Sequence, residues 1–407
     1  YTQKVQLFII FGAMAVAGYL VVHKLPPGVG FTEALDVGGK LGRLNVITTG
    51  NTDSGFDWDD RYNIWSGIIG GFFLALSYFG TDQSQVGRYL TAQSNTESRL
   101  GLLMNGLVKI PMQFFILLIG VLIFSFYQFN AAPLSFNTVL VDDAGRSPMR
   151  DSLQVLQAKY DSVTLLKQEA VGAFVQLNGE EKDDTSSLTS IQLKELNRLT
   201  ESYRSDFKEL SKKVSGKDTN DTNYVFLAFV KEHLPAGLKG LLIAIIFLAA
   251  WGSIAAALNS LAASTVVDFH QRIGSGRHVD EYRTSQWYTM GWGVFCIIVA
   301  QFANQLGQSL IEAVNVLGSL FYGVILGIFL VAFYCKRVGG TATFIAALVM
   351  EAVVVALFFN ERSEVLSFLP DISFLWMNAI GAIGLVMLAL LLQSLFPNKS
   401  NQAETTT

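Results

Sequence analysis

Small and hydroxyl-bearing residues recur at helical spacing within the apolar stretch from Pro235 to Phe269. They are Ala249, Ser253, Ala257, Ser260 and Ser264. Because residues three and four apart lie on one face of a helix, they form a stripe that a purely lipid-facing helix would not carry. In hydrocarbon such a stripe either packs closely on another helix or offers oxygen atoms to something that crosses the membrane. The residue types alone leave both interpretations open.

The elements that must position this stripe are membrane-spanning helices. Of the 407 residues, 51% are hydrophobic and only 15% are charged, a balance unlike that of an ordinary soluble domain. Several apolar runs are long enough to cross about 30 Å of hydrocarbon. We therefore predict an all-α integral membrane protein with about eight transmembrane helices. The predicted helices cover residues 5–23, 62–81, 101–128, 238–267, 286–303, 310–334, 341–359 and 373–396.

Basic residues mark the loops after the second, fourth and sixth predicted helices. They are Arg88, Arg99, Arg272, Arg277, Arg283, Lys336 and Arg337. By the positive-inside rule, this pattern predicts a multi-pass plasma-membrane protein with both ends of the chain in the cytoplasm. The chain begins at Tyr1 and enters its first predicted span almost at once, without a leader. It therefore reads as a fragment whose upstream spans are missing.

The largest change in composition lies between Asn130 and Leu234, on the predicted extracytoplasmic side. Apolar residues recur there at three- and four-residue spacing over 150–177 and 188–214, which predicts two amphipathic helices in a hairpin. This insertion is either a decoration of one lineage or an arm that docks a protein partner. The predicted organisation is membrane helices at 1–130, the insertion at 131–234, membrane helices at 235–396 and a cytoplasmic tail at 397–407.

Five blocks of the sequence carry a family resemblance. They are Tyr78–Ala92 (YFGTDQSQVGRYLTA), Gly106–Lys109, Leu234–Leu241, Asn259–Asp268 and Tyr322–Arg337. In residue types and spacing they resemble the sodium/solute symporter family, over nearly the whole chain outside 131–222. The resemblance implies the leucine-transporter architecture of two inverted five-helix repeats. The first helix here would be the fifth core helix, so the chain would hold mostly the second repeat.

Transporters of this architecture bind their ligands near the membrane midplane, where broken helices expose backbone groups. The pair Gly70-Gly71 in the second predicted helix could loosen the backbone enough for such a break. Close packing against another helix explains the pair equally well. The sequence leaves both interpretations open.

The resemblance implies a sodium site on the eighth core helix. The family's backbone carbonyl would fall at Ala249, and its two hydroxyls at Gly252 and Ser253. A hard cation needs several oxygens, but Gly252 supplies no hydroxyl, and the remaining ligands would come from the absent first core helix. A second sodium site in some members needs an aspartate where this chain has Gln3. We therefore expect a partial site and at most one sodium ion per transport cycle.

The resemblance also implies substrate contacts at Tyr78, Lys109 and Asn315. Tyr78 matches an inner-gate tyrosine, although a lone membrane aromatic also suits a helix core. Lys109 matches a lysine that reaches the substrate cavity, although it could instead extend toward the cytoplasmic interface. Asn315 matches a substrate-contacting glutamine, although an amide also bridges helices. Ala75 replaces a sugar-contacting asparagine, which weakens any specific prediction of a hexose.

The leading functional hypothesis is a sodium-coupled symporter that imports a small polar organic solute by alternating access. Neither a catalytic nucleophile, a metal cluster, a phosphate loop nor a nucleic-acid motif is apparent, so we expect a transporter rather than an enzyme. Proton coupling is an alternative, motivated by Gly252 and Gln3. A transporter-like sensor module is another, because this family's module also occurs fused to signalling domains.

Overall fold

The computed structural model of the protein is almost entirely helical. It describes residues 2–45, 47–52, 55–178, 184–216, 219–273, 281–302, 310–363 and 372–395. The predicted tail at 397–407 and the loop residue Arg277 lie outside these ranges.

Helices follow one another along the described chain. They are α1 (Thr2–His23), α2 (Phe31–Lys40), α3 (Gly71–Thr81), α4 (Gln83–Leu90), α5 (Asn95–Phe129), α6 (Thr138–Gly145), α7 (Arg150–Asn178), α8 (Asp184–Ser215), α9 (Val225–His233), α10 (Ala236–Ser264), α11 (Gln271–Ile273), α12 (Glu281–Phe302), α13 (Leu310–Tyr334), α14 (Gly340–Ser363) and α15 (Phe374–Leu395). Two short π-helical segments, Ser66–Gly70 and Thr265–His270, lie directly before α3 and after α10. The strands β1 (Asn51–Thr52) and β2 (Gly55–Phe56) form an antiparallel ribbon.

Six helices of the described chain are long and apolar enough to cross a membrane. They are Val5–His23, Asn95–Phe129, Ala236–His270, Val314–Tyr334, Gly340–Asn360 and Phe374–Leu395. The two other predicted spans are also helical, but one is apolar only over Ser66–Thr81. The other is α12, whose first turns contain Arg283 and several polar residues. The all-α membrane fold class is confirmed, with fewer helices meeting these criteria than the eight predicted.

The chain forms two compact units, and the first comprises Tyr1–Val46 and Leu103–Ser309. Its principal apolar core joins α1, α2, α5 and α9. Phe126 of α5 and Phe229 of α9 meet edge to face in this core, with ring centroids 5.3 Å apart. Ser125 of α5 donates a hydrogen bond of 2.6 Å to the carbonyl of Ala34 on α2, which satisfies a buried hydroxyl.

The two amphipathic helices predicted in the insertion are present as α7 and α8, which pack against each other. Tyr160 and Phe207 share one buried cluster, and Val171 and Leu193 share another. Because early residues of α7 meet late residues of α8, the pair is an antiparallel hairpin. Apolar periodicity predicted these helices well, since each one buries a single face.

The second unit comprises Ile47–Leu102 and Leu310–Thr407, and it is built on α13, α14, α15 and α3. Glycines bring α13 and α15 together. A Cβ added at Gly323 would lie 2.6 Å from the Asn378 carbonyl oxygen, and one at Gly327 would lie 3.0 Å from that of Ala382. The spacing of these two glycines is the small-residue pattern that lets membrane helices approach closely.

Gly70 and Gly71 do not break their helix. Both have ordinary right-handed helical dihedral angles, and the helix continues from the π-segment into α3. A Cβ added at Gly70 would lie 2.5 Å from the carbonyl oxygen of Leu375, at the start of α15. The structure therefore supports close packing at Gly70, and the local departure from α-helical geometry is the π-segment just before the pair.

We expect Gly70→Ala to destabilise the protein and Gly71→Ala to leave its stability unchanged or raise it. At Gly70 the added methyl group collides with backbone, and overpacking costs about 1–3 kcal/mol, more than the ~1 kcal/mol gained in helix propensity. A Cβ at Gly71 would meet nothing within 4 Å, so Gly71→Ala should be neutral or stabilising. The apparent melting temperature of the full-length protein in detergent measures both. Equal shifts for the two variants would contradict this account.

Candidate ion and solute sites

The stripe on α10 divides into an open part and a packed part. Near its end the helix packs on α12, where Ala262 is fully buried and Trp292 Nε1 donates to Thr265 Oγ1 at 3.0 Å. At the predicted ion position, Ala249 is half-buried, and Gly252 and Ser253 are exposed. A Cβ added at Gly252 would meet nothing within 4 Å. Close packing within the described chain therefore explains the end of the stripe but not its middle.

The open part of the stripe can offer oxygens to a cation. Ala249 and Ser253 are four residues apart and lie on one face, so the Ala249 carbonyl and the Ser253 hydroxyl belong to the same helical turn. Two oxygen ligands are too few to fill the coordination shell of a hard cation. Within the described ranges, no group of three or more histidine, cysteine or acidic side chains lies close enough together to hold a metal ion.

Tyr78 and Asn315 lie in the second unit, on helices that pack against each other. Tyr78 is half-buried on α3 and meets Phe79 edge to face, with ring centroids 5.0 Å apart. Next to it, Ser77 donates a 2.8 Å hydrogen bond to the carbonyl of Tyr322 on α13. Asn315 is half-buried on α13, two turns before Tyr322 and on the same face. The fold thus places two of the three predicted solute contacts on one helix pair.

Lys109 is exposed on α5, in the first unit. The same unit holds Ala249 and Ser253 on α10. Whether Lys109 reaches a solute cavity or the membrane interface stays a prediction.

The block Tyr78–Ala92 contains a helix stop and a helix start. Asp82 has an extended conformation that ends α3, and its carboxylate accepts hydrogen bonds from the backbone nitrogens of Ser84 at 2.8 Å and Gln85 at 3.2 Å. It is therefore the N-cap of α4, which explains an acidic residue at this point of the block.

Sequence reasoning missed a buried polar contact between α13 and α15. Asn378 is fully buried, and its Nδ2 donates to Ser319 Oγ at 2.8 Å. Its Oδ1 has no hydrogen-bond partner among the described residues. Ser319 lies one turn from both Asn315 and Tyr322 on α13. The spacing of Gly323 and Gly327 was the available signal, because it marks the face of α13 on which a neighbouring helix packs.

Comparison with known proteins finds a family match that includes α10. Residues 203–350 match the sodium:solute symporter family. This match confirms the family resemblance over that segment. The matched segment contains Ala249, Ser253 and Asn315, whereas Tyr78 and Lys109 lie outside it.

Two proteins that are similar to this chain are both named sodium/sialic acid symporters. The chain is 25% identical over 186 residues to the sodium/sialic acid symporter NanT of Aliivibrio fischeri, covering 45% of this chain and 35% of the relative. It is 24% identical over 179 residues to the sodium/sialic acid symporter SiaT of Proteus mirabilis, covering 43% and 34%. The aligned region spans about a third of the length of these relatives.

Proposed function

We propose that the protein is a sodium-coupled secondary active transporter that carries a small polar organic solute by alternating access. The match of residues 203–350 to the symporter family carries this proposal, because it covers α10 and its open face. That face exposes Ser253 on a helix long and apolar enough to cross the membrane. The protein would act in the plasma membrane, with both ends of the chain in the cytoplasm.

The sodium ion would bind at the open part of the α10 stripe. The Ala249 carbonyl and the Ser253 hydroxyl would supply two ligands without burying a carboxylate in hydrocarbon. Other segments would complete the shell. Because Gly252 lacks a hydroxyl and Gln3 is a neutral amide, we infer at most one sodium ion per transport cycle.

The solute would contact Tyr78, Lys109 and Asn315. Asn315 offers both a donor and an acceptor, which suits a ligand rich in hydroxyl groups. Lys109 would pair with a carboxylate, which suits the sialic acid named for both relatives. Sialic acid is therefore the first solute to test, and other hydroxylated acids follow.

Transport needs no covalent chemistry by the protein. Sodium and solute would each stabilise a conformation that the other also prefers, so the sodium gradient would drive solute uptake. An enzymatic step plays no part in this proposal.

Uptake into proteoliposomes of the full-length protein tests the proposal. An inward sodium gradient should drive sialic acid accumulation, and an equal potassium gradient should not. An inward proton gradient without sodium tests the alternative that Gly252 and Gln3 favour. Accumulation driven by a proton gradient alone would show that the coupling ion is the proton and not sodium. Uptake that depends on neither gradient would reject coupled transport.

We expect Ser253→Ala to weaken sodium binding. Losing one ligand oxygen should raise the sodium concentration for half-maximal uptake about tenfold, equivalent to ~1.4 kcal/mol. Ser394→Ala is the matched control, because Ser394 is an exposed serine at the end of α15 whose hydroxyl donates to the carbonyl of Leu391 on the same helix. If Ser253→Ala had the same sodium dependence as the wild type, Ser253 would not be a sodium ligand.

A further inference from the structure

A cavity of about 300 Å³ lies in the first unit, where the α7–α8 hairpin meets the end of α5. Its walls include Gln128 of α5, Lys167 of α7 and Arg204 of α8. It contains neither the α10 stripe nor the predicted solute contacts. This volume is at the lower end of the range for small-molecule sites.

Positive charge predominates in this cavity. Among the described residues lining it, the cations are Arg43, Lys167, Arg204 and Lys208, and the carboxylates are Glu201 and Asp221. Asp221 is only 3% exposed and already pairs with Arg204 and with Lys208. Of the carboxylates in this lining, only the exposed Glu201 is then left to balance the charges of Arg43 and Lys167. The lining therefore carries a net positive charge that another anion would balance.

Lys167 is the buried cation of the cavity. It is 8% exposed, and its Nζ donates to two neutral oxygens, Asn197 Oδ1 at 3.0 Å and Thr200 Oγ1 at 3.4 Å. A buried charge without a close counter-ion is costly. Glu201 is exposed and only partly offsets that cost, so an anion bound in the cavity would reduce it further.

Gln128 indicates a second chemical group that the ligand should contain. It is 5% exposed, and its Nε2 donates to the Phe124 carbonyl at 3.1 Å. Its Oε1 has no hydrogen-bond partner within the described ranges, although the residue lines the cavity. A buried acceptor without a donor is uncommon in proteins. A hydroxyl group of a ligand would satisfy it.

We propose that this cavity binds a small hydroxylated carboxylate, with the carboxylate held by Lys167 and Arg43 and a hydroxyl donating to Gln128 Oε1. The site is separate from the proposed transport sites and does not depend on the protein being a transporter. It gives the hairpin insertion a ligand-binding role besides any role in docking a protein.

Isothermal titration calorimetry on the full-length protein in sodium-free detergent solution tests the site. The probes are D-gluconate, D-glucitol, acetate and inorganic phosphate. Gluconate should bind at least tenfold more tightly than glucitol, which lacks the carboxylate, and than acetate, which lacks the hydroxyls. Phosphate binding as tight as gluconate binding would overturn the proposed ligand class in favour of a general anion site.

Lys167→Gln should weaken gluconate binding at least tenfold. Lys159→Gln is the matched control, because Lys159 is exposed two turns earlier on α7 and does not line the cavity. Gln128→Leu should reduce gluconate binding to the level of acetate while leaving acetate binding unchanged. A melting curve for each variant shows that it is folded. Equal gluconate affinity in the wild type, Lys167→Gln and Gln128→Leu would overturn the site, whatever the uptake assays show.

Discussion

Replacing Asp221 by alanine should destabilise the protein by about 3–5 kcal/mol, the cost of breaking a buried ion pair. Asp221 accepts from Arg204 and from the backbone nitrogen of Phe136 at 3.0 Å, and it lies 3.5 Å from Lys208 Nζ. Its removal would leave the side chain of Arg204, only 15% exposed, without a counter-ion. It would also release Phe136 from the segment that precedes α9.

The apparent melting temperature of the full-length protein in detergent measures this effect. A loss of this size should lower it by on the order of 10 °C. Glu209→Gln is the control, because Glu209 pairs with Lys213 at 2.7 Å on the exposed face of α8. Surface pairs of this kind contribute little, so the control should melt with the wild type. A small shift for Asp221→Ala would show that Arg204 and Lys208 are solvated without it.

Lys167→Met should stabilise the protein near pH 7 by about 1–2 kcal/mol. The pKa of Lys167 is lowered from 10.5 to about 8, chiefly by burial; Glu201 opposes this shift, and Arg204 and Arg43 add to it. At pH 7 the folded state therefore holds a charge that burial disfavours, at a cost of up to ~3 kcal/mol. Methionine removes the charge and keeps the volume, although Asn197 then loses a hydrogen bond.

The pH dependence gives the sharper test of this second prediction. Because the folded pKa is the lower one, the unfolded chain binds more protons between about pH 8 and 10.5. Wild-type stability should therefore rise through that window relative to Lys167→Met, and the advantage of the variant should disappear. Melting curves of both proteins from pH 7 to 10.5 measure the difference. A constant difference would show that Lys167 keeps an ordinary pKa.

The two stability predictions complement the binding experiment. If Lys167 served only to stabilise the fold, the Lys167→Met variant would be less stable than the wild type. If the variant is more stable and also loses gluconate binding, the charge serves the ligand. Such an exchange of stability for function is common at binding sites.

Sequence periodicity predicted the membrane helices and the α7–α8 hairpin because it reports local burial. It did not distinguish a break from close packing at Gly70, because the deciding partner is Leu375, which lies far along the chain. At the proposed ion site, it placed Ala249 and Ser253 on one face, but only the structure shows that Ala249 is half-buried and Ser253 is exposed. It missed Asn378 and Ser319, since single polar residues in apolar helices carry no periodic signal.

The amino-acid sequence by itself determined the all-α membrane class, the amphipathic hairpin and the family resemblance. These follow from hydrophobicity and spacing within single helices, so they need no knowledge of distant neighbours. Only the tertiary structure decided that Asp221 pairs with Arg204 and Phe136, and that Lys167 and Gln128 line one cavity. Those partners lie on different elements. The packing of helix faces brings them together, and a local pattern does not encode which faces meet.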